Sequence, residues 1–418
     1  MTESKHTFIR VSRTTWVVIG AALLIPWAVV LWIAQAPSNS TAKATAANAA
    51  PKVRPKPDAN VLPAGRWGEL EFLRITIEPP EDCIPASQAT PDSIRWVFKG
   101  YSATKLSELL QSAGLTSAQQ HLFDAPGRRE TKGDTIVLLP DAPFVIDLAP
   151  AARVKIYTAL AEFPENSSQQ SPYRLRKDAA DDWFDQTGLT PEIIALTKRL
   201  LYERNSNVFF SDENIVLPRL QTATERIRFL KTLSRKSTLL VQLKIQPDSD
   251  VTAIARYWGR GRRSKDVTPL LESLARLPGG AKIDIAHLLP PFPRSLLYGF
   301  PLASDKPEDA THDCHWTSLN FLKERPDERL TNIDFVKQTL LNDYYPVAGE
   351  PDYGDIMVLV QPDGVVVHSC VYLAAGVVFT KNGSAFSVPW LLSNLDAVVA
   401  FYTISPPLSV RCYRAKGP

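Results

Sequence analysis

Asp313-Cys314-His315-Trp316-Thr317-Ser318-Leu319-Asn320-Phe321 sets an acid and a thiol at the head of an amphipathic run. Val365-Val366-Val367-His368-Ser369-Cys370-Val371-Tyr372-Leu373 follows it and reads as a strand carrying a histidine. Asp313 is an N-cap residue for a helix beginning at Cys314, where the unpaired N–H groups and the helix dipole favour a thiolate. Between the two runs, Tyr353-Gly354-Asp355 leads into Ile356-Met357-Val358-Leu359-Val360, an apolar stretch of strand length. Pro362-Asp363-Gly364 and Ala374-Ala375-Gly376 are turn signals, and Val377-Val378-Phe379-Thr380-Lys381 continues the meander. One helix carrying a thiol is expected against antiparallel strands carrying its base.

These residues resemble the NlpC-like cell-wall peptidases of the papain superfamily, over about residues 295 to 402. Asp313-Cys314 resembles the start of that family's nucleophile helix and Gly354-Asp355-Ile356 its strand entrance. His368 through Tyr372-Leu373 resembles its base strand. The resemblance implies Cys314 as nucleophile and His368 as general base. Thr380 falls where the family places the residue that orients the base, normally His, Asn or Gln, and Asn382 is the second choice. Tyr298 resembles the family's oxyanion-binding tyrosine, at a longer distance from the cysteine than usual. His315-Trp316 replaces the family's small residues, so Asp313, His315, Trp316 and Trp390 are expected to shape the substrate pocket. The implied reaction is acyl transfer through a thioester, with no cofactor and no metal, on peptide bonds of the cell envelope.

Plainer readings stand beside each of these. Cys314 is also read as a small buried hydrophobe and His368 as a satisfied core histidine. Cys370 shares the strand face of His368 and is the rival nucleophile. His312, Cys314 and His315 lack the separated second pair of ligands that a zinc site needs. Cys83 with Cys412 is the single disulfide a nucleophilic Cys314 leaves open. Two other functions remain on this fold: a catalytically silent envelope-binding module, and a lipid acyl hydrolase or transferase with an apolar groove at Trp316, Leu373 and Trp390.

Working back toward the N-terminus, residues 286–418 form the thiol hydrolase region. Residues 149–285 are expected to be mainly helical, with starts at Thr190-Pro191-Glu192 and Thr268-Pro269, the second helix running Leu270 to Leu277, and a strand at Ser237 to Ile245. Arg226, Arg228, Lys231, Arg235 and Lys236, then Arg256, Arg260, Arg262, Arg263 and Lys265, imply either an ordinary solvated face or contact with an anionic envelope polymer. Residues 65–148 alternate like a small α+β unit with strands near 70–78, 94–100 and 134–140 and a helix at 103–112. Residues 35–64, rich in Ala and Pro, read as a tether.

Trp16 to Ala34 carries no charge and has bilayer length, behind Lys5, Arg10 and Arg13. It is read as a single-pass anchor at 16–34, with residues 1–15 cytoplasmic and the body outside. The alternative is a signal cleaved after Ala36, which releases the protein. The chain of 418 residues is 44% hydrophobic, enough for more than one core, and its net charge of +3 points to no nucleic-acid partner. The fold class expected for the whole is α+β.

Overall fold

The computed structural model describes residues 60–84, 93–177, 182–204, 207–301, 312–402 and 407–417. The tail expected at 1–15 and the anchor expected at 16–34 lie outside them. Among the described residues, no helix is long and apolar enough to cross a membrane.

The chain is mixed α+β, built from helices and antiparallel sheets. Strands β1 (Asn60–Val61), β2 (Glu69–Ile77), β9 (Lys236–Ile245) and β10 (Ala281–Asp284) form one sheet in the order β1-β2-β9-β10. The tether therefore ends earlier than expected. Asn60 pairs with Phe72 and Leu62 N donates to Leu70 O at 2.8 Å, so residues 60–64 are held by the body.

β2 and β9 pair along their whole length, from Glu69 with Lys244 to Ile77 with Lys236. That pairing crosses the boundary expected at 148/149. Everything between the two strands is closed off by it, and the intervening chain has its own core from Ile84 to Leu233, centred on Trp96, Phe98, Tyr157 and Phe229. Two three-stranded sheets lie in this insert. The first contains β3 (Trp96–Lys99), β4 (Arg129–Lys132) and β5 (Thr135–Leu138), in the order β3-β5-β4. The second contains β6 (Tyr173–Arg176), β7 (Tyr202–Arg204) and β8 (Asn207–Phe210), in the order β6-β8-β7.

The middle region is mainly helical as expected, and the second sheet adds strands beyond the one or two anticipated there. These strands are three or four residues long, too short to show a period of two. The helix capped by Thr190 ends at Leu200, not near Asn205, because Tyr202–Arg204 joins this sheet. The later helix spans Ser264–Ala275 and contains Pro269 instead of starting at it.

The second core joins β2, β9 and β10 to the C-terminal third. There, β11 (Tyr344–Val347), β12 (Ile356–Val360), β13 (Val366–Ala374), β14 (Val377–Lys381), β15 (Trp390–Asn394) and β16 (Ser409–Ala415) form a six-stranded antiparallel sheet, in the order β11-β16-β12-β13-β14-β15. Thr238 of β9 ties the two sheets together: its Oγ1 donates to Leu392 O at 2.9 Å and accepts from Leu392 N at 3.1 Å. One face of the six-stranded sheet, through Val371, Leu373, Phe379 and Leu392, packs with Trp316, Leu319 and Phe321. The other face, through Met357, Leu359, Cys370 and Val378, is covered by the helix Leu395–Tyr402.

Candidate active site

Cys314 opens the short helix Cys314–Leu319, and Asp313 caps it as its sequence implies: one carboxylate oxygen accepts from His315 N at 2.8 Å and Trp316 N at 2.9 Å. The helix docks on β13 at Ser369. Ser369 Oγ donates to Cys314 O at 3.3 Å and lies 2.9 Å from His315 Nδ1. Ser318 Oγ donates to Cys314 O at 2.7 Å.

His368, one residue earlier, has the opposite parity and shares the face of Cys370 and Tyr372. It is fully buried, and its ring stacks on Tyr402 with centroids 4.3 Å apart. Thr380 Oγ1 donates to Asn382 Oδ1 at 2.9 Å. A hydroxyl has one proton, so toward His368 Nε2, also 2.9 Å away, Thr380 accepts. The ring therefore carries its proton on Nε2 and a lone pair on Nδ1. Both residues considered for the orienting role thus stand in one hydrogen-bond chain, Thr380 first and Asn382 behind it.

Nδ1 is buried and has no hydrogen-bond partner, so Cys314 and His368 are not hydrogen-bonded to each other. The thiol is 7% exposed. Burial pushes it up to about 12, the Asp313 carboxylate adds to this, and the N–H groups of Ser369 and Cys314 oppose it. The thiolate expected from the helix terminus is therefore not the resting state, because loss of water outweighs the dipole of so short a helix. Burial, with His315 adding to it, pulls His368 down to about 3. Both groups are therefore dry and uncharged at rest.

Lys381 is the charged neighbour that the sequence pattern did not single out. It is fully buried, donates to Gly383 O at 2.6 Å, and lies 5.6 Å from the Trp390 ring centre. Burial lowers it to about 8, while Cys314 and Asp313 pull in the other direction. Tyr402 was missed as well, because its helix and β13 meet only through the fold.

Tyr298 is not available for an oxyanion. Its backbone is left-handed, with φ 62°, and its hydroxyl donates to Leu239 O at 2.7 Å, which commits it to β9. Trp316 and Trp390 do line a pocket, a groove of about 770 Å3 with Phe292, Leu296 and Phe386 in its walls. His312 stacks on Trp316 at 3.8 Å and pairs with Glu328 at 2.8 Å on its rim. Neither Asp313 nor His315 lines the groove: Asp313 caps the helix and the His315 ring bonds Ser369 of β13.

The ligand atoms of Asp313, Cys314 and His315 lie within 4.8 Å of one another, a consequence of three consecutive residues around one cap. All four cysteines are free. Cys83 does not meet Cys412: the first donates to Pro301 O at 3.7 Å and the second lies 3.6 Å from Asp355 Oδ2, on β16. Asp355 caps its turn by accepting from Asp352 N at 2.7 Å. It also takes a two-pronged bond from Arg414, at 2.8 and 2.7 Å.

Three arginines of the middle region's basic run are tied to loops. Arg228 donates to Gly188 O, Arg260 to Tyr353 O and Arg263 to Leu288 O, each holding a separate loop. No protein-family model, curated protein or solved structure matches the chain.

Proposed function

We propose that Cys314 and His368 form the centre of a cysteine hydrolase of NlpC-like type, held at rest in a closed and uncharged form, that cleaves amide bonds in cell-envelope peptides. The observation that carries this reading is the bonding of His368. The Thr380–Asn382 relay fixes its proton on Nε2 and leaves a buried Nδ1 lone pair with no donor among the described residues, on the strand against which the Cys314 helix docks. Buried polar atoms without partners are uncommon, and a base waiting for its substrate is one reason for them. Nucleophile–base bonds are often long in sites without substrate and tighten when it binds.

In the reaction, Nδ1 takes the Cys314 proton as sulfur bonds to the acyl carbon. The carbon–nitrogen bond then breaks, the proton leaves on the amine, and water hydrolyses the thioester. An anchor at 16–34 would present this centre to the envelope.

The burial of the thiol, and its absence from the walls of the Trp316–Trp390 groove, favour a second reading, a binding module that uses that groove. Labelling with iodoacetamide at neutral pH separates the two. A thiol pushed up to about 12 holds almost no thiolate at pH 7, so fast labelling requires a base. We expect His368→Ala to slow modification of Cys314 by about 100-fold, the lower end of general-base contributions. Equal rates in the wild type and His368→Ala leave only the binding module.

A further inference from the structure

Between the insert and the six-stranded sheet lies a cavity of about 80 Å3 walled by Arg174, Arg176, Arg235, Lys236, Trp183 and Asn382, among others. Among the described residues, it contains four basic residues and no carboxylate. Arg235 is neutralised by Glu78 and also donates to the carbonyls of Trp183 and Asp185. Lys236 is different: this half-buried ammonium makes no hydrogen bond or ion pair among the described residues. Burial lowers it to about 8, and Arg174 pushes it the same way.

The neighbouring groups are donors too. Trp183 is 3% exposed and its Nε1 has no partner. Arg204, within electrostatic range of Arg174, has Nε and Nη2 buried and unpartnered. Arg174 donates to Phe401 O, which leaves Lys236 and the buried Trp183 Nε1 as the donors of this wall with no partner among the described residues. A basic wall with donors left over is the complement of an anion, since each such group left dry is costly. The cavity shares Arg176, Asn207 and Ala397 with a wider cleft of about 730 Å3 that adds Lys177, Gly376 and Asn394.

We propose that this pocket binds the oxyanion end of a ligand, a phosphate or a carboxylate, whose body lies in the wider cleft. The proposal is independent of the chemistry at Cys314, although Asn382 belongs to both: it ends the His368 relay and lines this cavity.

The test uses the full-length protein at fixed ionic strength, with calorimetric titration of inorganic phosphate, of acetate, and of phosphatidylglycerol vesicles. Saturable binding is expected, weakened at least tenfold by Lys236→Gln. The arm that responds assigns the source as a free phosphate, a carboxylate or a lipid headgroup. Ser393→Asp puts a carboxylate on the same wall; it should abolish binding while keeping or raising the thermal midpoint. No binding in any arm, or binding undiminished in both variants, overturns the proposal. Cys314 labelling is read on the same samples, so loss of the anion site and loss of the thiol chemistry are told apart.

Discussion

Replacing His368 by Gln should make the protein less sensitive to acid. Gln keeps a donor for Thr380 Oγ1 but cannot titrate. In the folded chain His368 is pulled down from 6.5 to about 3 by burial. Between those values the unfolded chain binds a proton that the folded one refuses, so stability falls as pH falls through the window. Above 6.5 both forms are neutral, and below 3 both are protonated. Each pH unit inside the window costs about 1.4 kcal/mol, which gives about 3 kcal/mol by pH 4. For a unit of this size that is roughly 4 °C in Tm.

Asp212, raised to about 7 by burial, acts with the opposite sign and gains stability as pH falls below 7. It is present in both proteins and cancels in their difference. The measurement is Tm by calorimetry at pH 7 and pH 4 for the wild type and His368→Gln. The wild type should lose about 4 °C more than the variant. Parallel losses would refute a dry, neutral His368 ring at rest.

Two further perturbations test the surroundings of the site. Thr380→Val leaves His368 Nε2–H without an acceptor and should cost about 1–3 kcal/mol in urea unfolding, whereas Thr380→Ser should stay close to wild type. A valine variant as stable as the wild type would mean that the hydroxyl is not bridging His368 to Asn382. Asp355→Asn removes the charge that Arg414 grips; because Arg414 is 26% exposed, the expected loss is about 2 kcal/mol, below that of a fully buried pair. Urea unfolding measures it, and no loss would show that the β12–β16 junction does not depend on this pair.

The meander was legible in the sequence because its strands follow one another. Ile356–Val360 and Val377–Lys381 have the expected limits, and the His368 strand differs by only a residue or so, since apolar runs between turn signals need no distant partner. The cap at Asp313 was legible for the same reason. The strand β16 was not, although it lies between β11 and β12, because Ser409–Ala415 alternates weakly and half of it is exposed. Nor was the insert, since the pairing of Glu69–Ile77 with Lys236–Ile245 joins segments separated by a whole core.

By itself, the sequence picked out the candidate residues: a thiol behind a helix cap, a histidine on a neighbouring strand, and Thr380 and Asn382 within reach of that histidine. Those are local patterns, fixed by capping and by the two-residue repeat of a strand. Tertiary structure alone decided their chemical state. Burial under two layers removes the water that would charge Cys314 and His368, turns Tyr298 toward β9, stacks Tyr402 on His368 and buries Lys381 within range of Cys314. It also sets Lys236 against Arg174, with no ion pair to Lys236 among the described residues. Charge and solvation depend on what surrounds a group in space, and a chain read in order does not contain that information.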